Sequence, residues 1–316
     1  MNAPLLYLVV PCYNEEEVLP ETSRRLEQKL KDLTQAGKIA PGSLVLFVDD
    51  GSRDRTWPQI VELHQGEGPF GGLKLSRNRG HQNALLAGLT AAAQHCDVCI
   101  SMDADLQDDI DAVDEMLAKF AEGYEVVYGV RSDRTTDTAF KRTTAMAFYR
   151  LMKSMGADTV ANHADYRLMG NRALKELLKF KEVNLFLRGM VPLVGFRSTT
   201  VTYKRGERFA GESKYPLKKM LAFAMDGITS FSVKPIRMIT TLGFFIFSIS
   251  LVGLAVLLLL KLLGHTVQGW TTLMGSVWLL GGLQLLGLGV IGEYIGKIYM
   301  ETKARPPFIV EELLTK

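Results

Sequence analysis

The chain reads as an α/β protein: a doubly wound, mostly parallel sheet, followed by an amphipathic interfacial helix and two apolar helices long enough to span a bilayer. Three observations lead there. Short apolar runs alternate with helical stretches from Leu5 to Tyr128, the pattern of a parallel sheet with helices on its faces. Several of those runs end in acidic turns, where the ligands of open α/β sheets collect. The composition then changes near residue 237: Met238 to Leu260 and Leu262 to Gly292 carry no charged residue.

Leu5 to Val10 forms the first buried strand, stopped by Pro11. Asn14 follows as a helix N-cap, with Glu15, Glu16 and Glu17 in the first turn and Glu17 placed to close a capping box. That helix runs to about Gly37. The second strand, Leu44 to Val48, ends in Asp49-Asp50-Gly51-Ser52, and Asp54 or Thr56 caps a helix beginning around Pro58. Leu73 to Leu75 is a third, weaker strand. Ser76-Arg77-Asn78-Arg79-Gly80 then turns into an alanine-rich helix from His81 to Ala93. Val98-Cys99-Ile100 is the fourth strand, and Val126 to Tyr128 follows a helix of about Asp111 to Glu122. No G-x-G-x-x-G follows the first strand, which argues against a dinucleotide fold of the usual kind.

Asp103 and Asp105 stand just past the fourth strand, two apart, and so point the same way on an extended backbone. Paired carboxylates suit a hard divalent cation, Mg²⁺ or Mn²⁺, whose other positions go to water and substrate phosphates. A nucleotide diphosphate is the guest such a site takes. For Asp49 and Asp50 a simple Asp-Gly turn is the competing reading.

The apolar content of 47% over 316 residues supports about two domains. Each uncharged run exceeds the roughly 20 residues that cross a bilayer, and the short loop of Gly264 to Gly269 makes them a hairpin. Lys214, Lys218, Lys219, Lys234 and Arg237 precede it and Lys297, Lys303 and Arg305 follow it, against Lys261 alone near the connection. The positive-inside rule therefore puts both flanks in the cytoplasm, and Leu5 to Val10 is too short for a signal peptide. Cys96 and Cys99 form a C-x-x-C without a second pair, and read as small core residues. A net charge of +3, with lysines gathered at the membrane end, gives no footprint for nucleic acid.

Four stretches carry a resemblance in order and spacing: Pro11-Cys12-Tyr13-Asn14-Glu15-Glu16, Val48 to Asp54, Asp103-Ala104-Asp105-Leu106-Gln107, and Asp165-Tyr166-Arg167-Leu168. Together they resemble the inverting family 2 glycosyltransferases of the GT-A fold. With the hairpin behind them they look like the polyisoprenyl-phosphate glycosyltransferases, the GtrB-like undecaprenyl-phosphate glucosyltransferase and dolichol-phosphate mannosyltransferase group. The resemblance implies a GT-A domain over 1–214, amphipathic juxtamembrane helices over 215–236, a transmembrane hairpin over 237–296 and a cytoplasmic tail over 297–316. It implies that Pro11, Tyr13, Glu15, Asp49, Asp50 and Asp103 hold the nucleotide, and that Asp103, Asp105 and Gln107 hold Mg²⁺ or Mn²⁺ and the diphosphate. Asp165 matches the proposed catalytic base, with Asp105 beside it in the catalytic set.

The acceptor implied is a polyprenyl phosphate. Arg131, Lys141 and Arg142 match positions for its phosphate, and Arg208, Ser213 and Lys214 match the family's R-x-x-G-x-S-K-Y segment. Leu217, Met220, Leu221, Ala224 and Ile228 share one helical face, as an interfacial helix requires; packing against the sheet is the alternative. A phosphate monoester is largely ionised near neutral pH, so Asp165 is expected to orient the acceptor and stabilise positive charge on the sugar more than to remove a proton. UDP-glucose is the favoured donor. N-acetylglucosamine, galactose, aminoarabinose, or mannose from GDP, are the other donors in view. A homotetramer is the assembly the resemblance implies. Two other readings exist: a polysaccharide synthase, which typically carries a Q-x-x-R-W segment absent here, and a nucleotide-sugar-binding membrane partner of a flippase, against which the retained Asp165 and Arg-Ser-Lys segment argue.

Overall fold

The computed structural model describes residues 3–132, 163–182, 186–204, 234–263 and 269–315. The chain divides into two compact units. One comprises Met1–Tyr149, Asp158–Pro216 and Arg305–Lys316, the other Arg150–Ala157 and Leu217–Ala304.

The first unit is built on eight strands: β1 (Leu6–Cys12), β2 (Leu44–Asp49), β3 (Phe70–Leu75), β4 (Val98–Ser101), β5 (Val126–Arg131), β6 (His163–Gly170), β7 (Ser198–Tyr203) and β8 (Val310–Leu314). Their order is β7-β5-β6-β4-β1-β2-β3-β8. β1 pairs in parallel with β2 and β4, β2 with β3, and β5 with β7. β6 runs antiparallel between β4 and β5, and β8 antiparallel on β3. The sheet is therefore mixed. The chain leaves β1 toward β2 and β3, then returns to β4 on β1's other side, so the switch point lies between β1 and β4, where open sheets bind ligands beyond the strands' carboxyl ends.

Helices α1 (Leu19–Gln35), α2 (Thr56–Gln65), α3 (His81–Ala92), α4 (Ala112–Ala121), α5 (Asn171–Leu177) and α6 (Leu187–Leu193) accompany the sheet. Leu19, Leu26, Leu30 and Leu33 of α1 recur at helical spacing and are buried. Each such side chain contributes roughly 1.5–3 kcal/mol of burial free energy. α3 packs so closely on the sheet that a Cβ at Gly88 would stand 2.5 Å from Val9 Cγ1 and 2.6 Å from Val48 Cγ2. Cys12, Cys96 and Cys99 are free and buried, as core residues.

Three expectations change. α1 begins at Leu19 after Val18, with Pro20 in its first turn, and has no side-chain cap. Asn14 instead takes a positive φ of 56°, a conformation asparagine tolerates, and stays in the loop. α2 starts at Thr56, two residues early, because Asp54 Oδ1 accepts from both the Thr56 N–H and its hydroxyl, at 3.0 and 2.6 Å. Residues 297–316, expected as a tail, contain the end of a helix and then β8, whose ladder with β3 joins it to the sheet.

In the second unit the two uncharged runs are helical: α7 spans Lys234–Leu262 and α8 spans Trp270–Thr302. Lys261 lies within α7 rather than in the connection. Large apolar side chains stand exposed on both, Phe244 at 72% and Leu285 at 71% among them. Among the described residues no helix is long and apolar enough to cross a membrane. The segment expected to lie in the interface, Leu217 to Phe231, is outside the described residues.

Candidate active site

The register of β4 and β6 brings the two key carboxylates together. Ser101 pairs with Arg167, the last pair of that antiparallel ladder, and Asp103 and Asp165 each lie two residues beyond it on the same side. The Ser101 hydroxyl donates to the Asp165 carbonyl at 2.5 Å, fixing the junction. Asp165 is only 5% exposed. Its carboxylate accepts from Arg167 Nη2 at 2.6 Å, from Gln82 Nε2 at 3.2 Å, and from Arg188 Nε and Nη2 at 3.3 and 3.1 Å. Gln82 also accepts from the Leu187 N–H at 3.1 Å, so the starts of α3 and α6 close on the same carboxylate. Burial pushes Asp165 up, but the hydrogen bond from His81 and the charges of Arg167 and Arg188 overcome it and hold the carboxyl well below the usual range.

His81, the first residue of α3, bridges the pair. Its Nε2 lies 3.6 Å from Asp103 Oδ1 and 3.5 Å from Asp165 Oδ2. Burial disfavours its charge, yet Asp165 and Asp103 raise its pKa above the ordinary value. Asp103 is pushed up to about 6, by burial first; His81 opposes the rise while Asp108, Asp165 and Asp105 add to it.

Beyond Asp103 the chain turns. β4 ends at Ser101, residues 104–105 lie in a turn and Leu106 has a φ of 57°, so the extended backbone expected to point Asp103 and Asp105 the same way does not reach Asp105. The Gln107 N–H instead donates to Asp105 Oδ1 at 3.2 Å. Asp108 is buried at 3% exposure. The Tyr203 hydroxyl donates to its Oδ1 at 2.5 Å, Arg131 Nη2 lies 3.9 Å from the same oxygen, and its Oδ2 has no hydrogen-bond partner among the described residues. Arg131 Nε donates to the Tyr203 hydroxyl at 3.3 Å.

Do these residues fit a divalent cation? Among the described residues no group of three or more His, Cys, Asp or Glu side chains could hold one. The oxygen chemistry nevertheless fits a site completed by phosphate and water. Burial first, and then the neighbouring carboxylates, lift Asp103 to about 6, and Asp108 Oδ2 has no hydrogen-bond partner among the described residues; added positive charge would relieve both.

The loops after β1 and β2 lace together beside this centre. The Asn14 N–H donates to Ser52 Oγ at 3.0 Å, the Arg53 N–H to Asn14 Oδ1 at 2.9 Å, and the Glu15 N–H to Thr56 Oγ1 at 2.9 Å. Pro11 is buried and Tyr13 is 41% exposed at the rim. Asp49 is fully buried and accepts from the Ser52 N–H at 3.2 Å. Asp50 accepts from the Arg79 and Gly80 N–H groups at 2.6 and 2.8 Å, which anchors the loop leading into α3. Burial raises both pKa values; the Ser52 hydrogen bonds and Lys74 oppose it at Asp49, and the Arg79 and Gly80 amides oppose it at Asp50. Lys141, Arg142, Arg208, Ser213 and Lys214 lie outside the described residues.

Sequence reasoning missed His81, Gln82, Arg188 and Tyr203. A single charge inside Phe186-Leu187-Arg188-Gly189-Met190 was the available signal, because an arginine in an apolar run is seldom buried without a partner.

Over residues 7–178, from β1 through α5 and every loop just described, the sequence matches glycosyl transferase family 2. The chain belongs to this family. Among relatives of this family 2 glycosyltransferase, the uncharacterized glycosyltransferase YkoT of Bacillus subtilis is 56% identical over 310 residues, covering 98% of this chain and 92% of the relative. YkcC of the same organism, also an uncharacterized glycosyltransferase, is 44% identical over 307 residues, covering 96% and 93%. The bactoprenol glucosyl transferase of Shigella phage SfV is 38% identical over 307 residues, covering 96% and 97%. The α/β mixed sheet is the GT-A-like architecture expected of the family.

Proposed function

We propose that this glycosyltransferase moves one sugar, glucose by preference, from a uridine diphosphate sugar to a polyprenyl phosphate, with inversion, at the cytoplasmic face of a membrane. The observation that carries the reading is the Asp103–His81–Asp165 bridge at the β1/β4 switch point, with Asp165 already ionised and clamped. The full-length kinship with a bactoprenol glucosyl transferase supports the lipid acceptor and the glucose.

Asp103 and Asp105 would hold Mg²⁺ or Mn²⁺, with Gln107 beside them, and the cation supplies charge neutralisation at the leaving diphosphate. The protein's own residues do the rest. Arg131, ordered by Tyr203 at the edge of the carboxylate cluster, offers its guanidinium to the acceptor phosphate. Asp165 presents a fixed negative charge toward the anomeric centre, where positive charge develops as the bond to the leaving group stretches. Its two arginines keep it from taking a proton, and an acceptor phosphate that is already ionised does not ask it to. The lipid phosphate oxygen forms the new bond to the anomeric carbon as the bond to the diphosphate oxygen breaks, and the electron pair leaves with the nucleotide.

Membrane attachment through α7 and α8 is part of the same proposal. Their uncharged runs and their exposed phenylalanines and leucines are what lipid would cover. Purified protein given UDP-glucose, Mn²⁺ and a short polyprenyl phosphate is expected to release UDP and form glucosyl lipid phosphate. UDP binding without release of either product would instead favour a sensor.

A further inference from the structure

The last described strand has no part in the reaction as set out above, yet it borders the donor site. Register carries one row of residues across four strands: Cys12 beside Asp49, Asp49 beside Lys74, and Lys74 beside Glu312 of β8. The row lies at the carboxyl ends of the parallel strands. There the β3–β8 ladder shifts between Lys74 and Leu75, and the Ser76 N–H donates to the Ile309 carbonyl at 3.0 Å. The shift leaves Glu311 pointing along the sheet's end, where Lys74 Nζ donates to its Oε1 at 3.0 Å. Lys74 itself stands 5.9 Å from the centre of the Trp57 ring.

A cleft of about 320 Å³ opens here, lined by Tyr13, Ser52, Lys74, Arg77, Asn78 and Glu311 among others. It joins the exposed ring of Tyr13 to a carboxylate, an amide and a guanidinium, a set that reads a planar, hydrogen-bonding ring. Each of the β1, β2 and β3 loops contributes one wall. The fourth wall comes from a strand 237 residues away in sequence from Lys74.

We infer that β8 completes the nucleoside cleft of the donor site, and that Glu311, steadied by Lys74, is a specificity-determining residue that accepts a hydrogen bond from the ring N–H of the base. This rests on the donor being a nucleotide sugar. A carboxylate acceptor favours uracil, which carries a ring N–H, over cytosine, which has none on its pairing edge. Lys74 is a positioning residue here: it fixes the Glu311 rotamer rather than touching the base.

Calorimetry on the full chain in detergent with Mn²⁺ tests the assignment, using UDP and CDP as probes. Wild type is expected to prefer UDP, and Glu311→Ala to weaken UDP by about tenfold while CDP is nearly unmoved, the loss of one charged hydrogen bond. Lys74→Met should erode the same preference, and adding it to Glu311→Ala should cost little more, since the two act as a unit. In turnover the loss should fall on the donor KM more than on kcat. An unchanged UDP-to-CDP ratio in Glu311→Ala, at an unchanged melting temperature, overturns the role of Glu311. If wild type binds no nucleoside diphosphate, the donor reading itself falls and this inference with it.

Discussion

Arg188 engages both oxygens of Asp165, its Nε 3.3 Å from Oδ1 and its Nη2 3.1 Å from Oδ2. With Arg167 on Oδ1 at 2.6 Å, the carboxylate is held as an anion that cannot turn. Its pKa lies below the unfolded value of about 3.9, so the stability it adds is present above pH 4 and is lost only as pH falls through its own lower value. Asp165 therefore does not titrate in the working range. Asp165→Asn is expected to lower kcat by about 10²-fold or more while both limbs of the pH–rate profile stay where they are in wild type. A basic limb that vanishes in the variant would make Asp165 a general base after all.

Arg188→Ala tests the clamp separately. Asp165 keeps Arg167 and Gln82 but loses its fixed orientation, and kcat is expected to fall about 10- to 100-fold, since small misplacements of a catalytic group are costly. Arg188→Lys restores charge without the two-pronged contact, so it should recover only part of the rate. Full recovery by lysine would show that charge alone matters.

Asp103 behaves in the opposite sense. Its folded pKa of about 6 lies above the unfolded value of about 3.9. Its contribution to stability is thus fully present below pH 4 and is lost as pH rises through 6. Metal-free protein in chelator should accordingly melt at a lower temperature at pH 7 than at pH 5, and Asp103→Asn should flatten that difference. Mn²⁺ should raise the melting temperature of wild type at pH 7 and barely at pH 5, where the carboxyl is protonated. Equal stabilisation of Asp103→Asn by Mn²⁺ would remove Asp103 from the cation site.

The first five strands were legible because each is a local run of apolar residues ended by a turn, and burial of such a run needs no knowledge of its partner. β6 was not. It carries Asp165 and Arg167 into the middle of the sheet, at 5% and 2% exposure, where a polar sequence gives no strand signal. Their mutual ion pair is what makes that burial tolerable. β8 hid for another reason: Val310-Glu311-Glu312-Leu313-Leu314 reads as a charged tail, and only its pairing with a distant β3 makes it a strand. Asp103, Asp105 and Asp165 could be named from motif order. His81 could not be linked to them, since the bridge depends on where the start of α3 comes to rest beside the β4–β6 junction.

Gly51 shows how the nucleotide loops depend on backbone. It adopts a φ of 68°, and a Cβ there would stand 2.7 Å from Arg77 C and Asn78 N. Neither atom is the end of a flexible side chain, so the loop itself must move. Gly51→Ala is expected to cost about 2 kcal/mol or more in denaturation, the left-handed penalty plus the clash. UDP affinity should fall as well, because Arg77 and Asn78 line the cleft. Wild-type stability in this variant would mean that the 76–80 loop yields freely, and the anchoring of that loop by Asp50 would then carry little weight.

The topology of α7 and α8 can be tested through the cysteines. α7 spans 29 residues and α8 spans 33, about 43 and 50 Å at ~1.5 Å per residue. If both cross, as proposed, position 266 lies across the membrane from the outer ends of the two helices, whose flanking lysines and arginines are the reason the proposal puts those ends in the cytoplasm. Cys12, Cys96 and Cys99 are buried, and burial raises their thiols above the ordinary value, Cys96 to about 12, so they give little background with a maleimide. In intact cells a membrane-impermeant maleimide is expected to label Thr266→Cys and to leave Glu67→Cys, an exposed site on the catalytic unit, unlabelled until the cells are broken. Labelling of both in intact cells would place the catalytic unit outside, away from any cytoplasmic nucleotide sugar. Labelling of neither would put the connection on the same side as the catalytic unit and make α7 and α8 helices that lie on the membrane instead of crossing it.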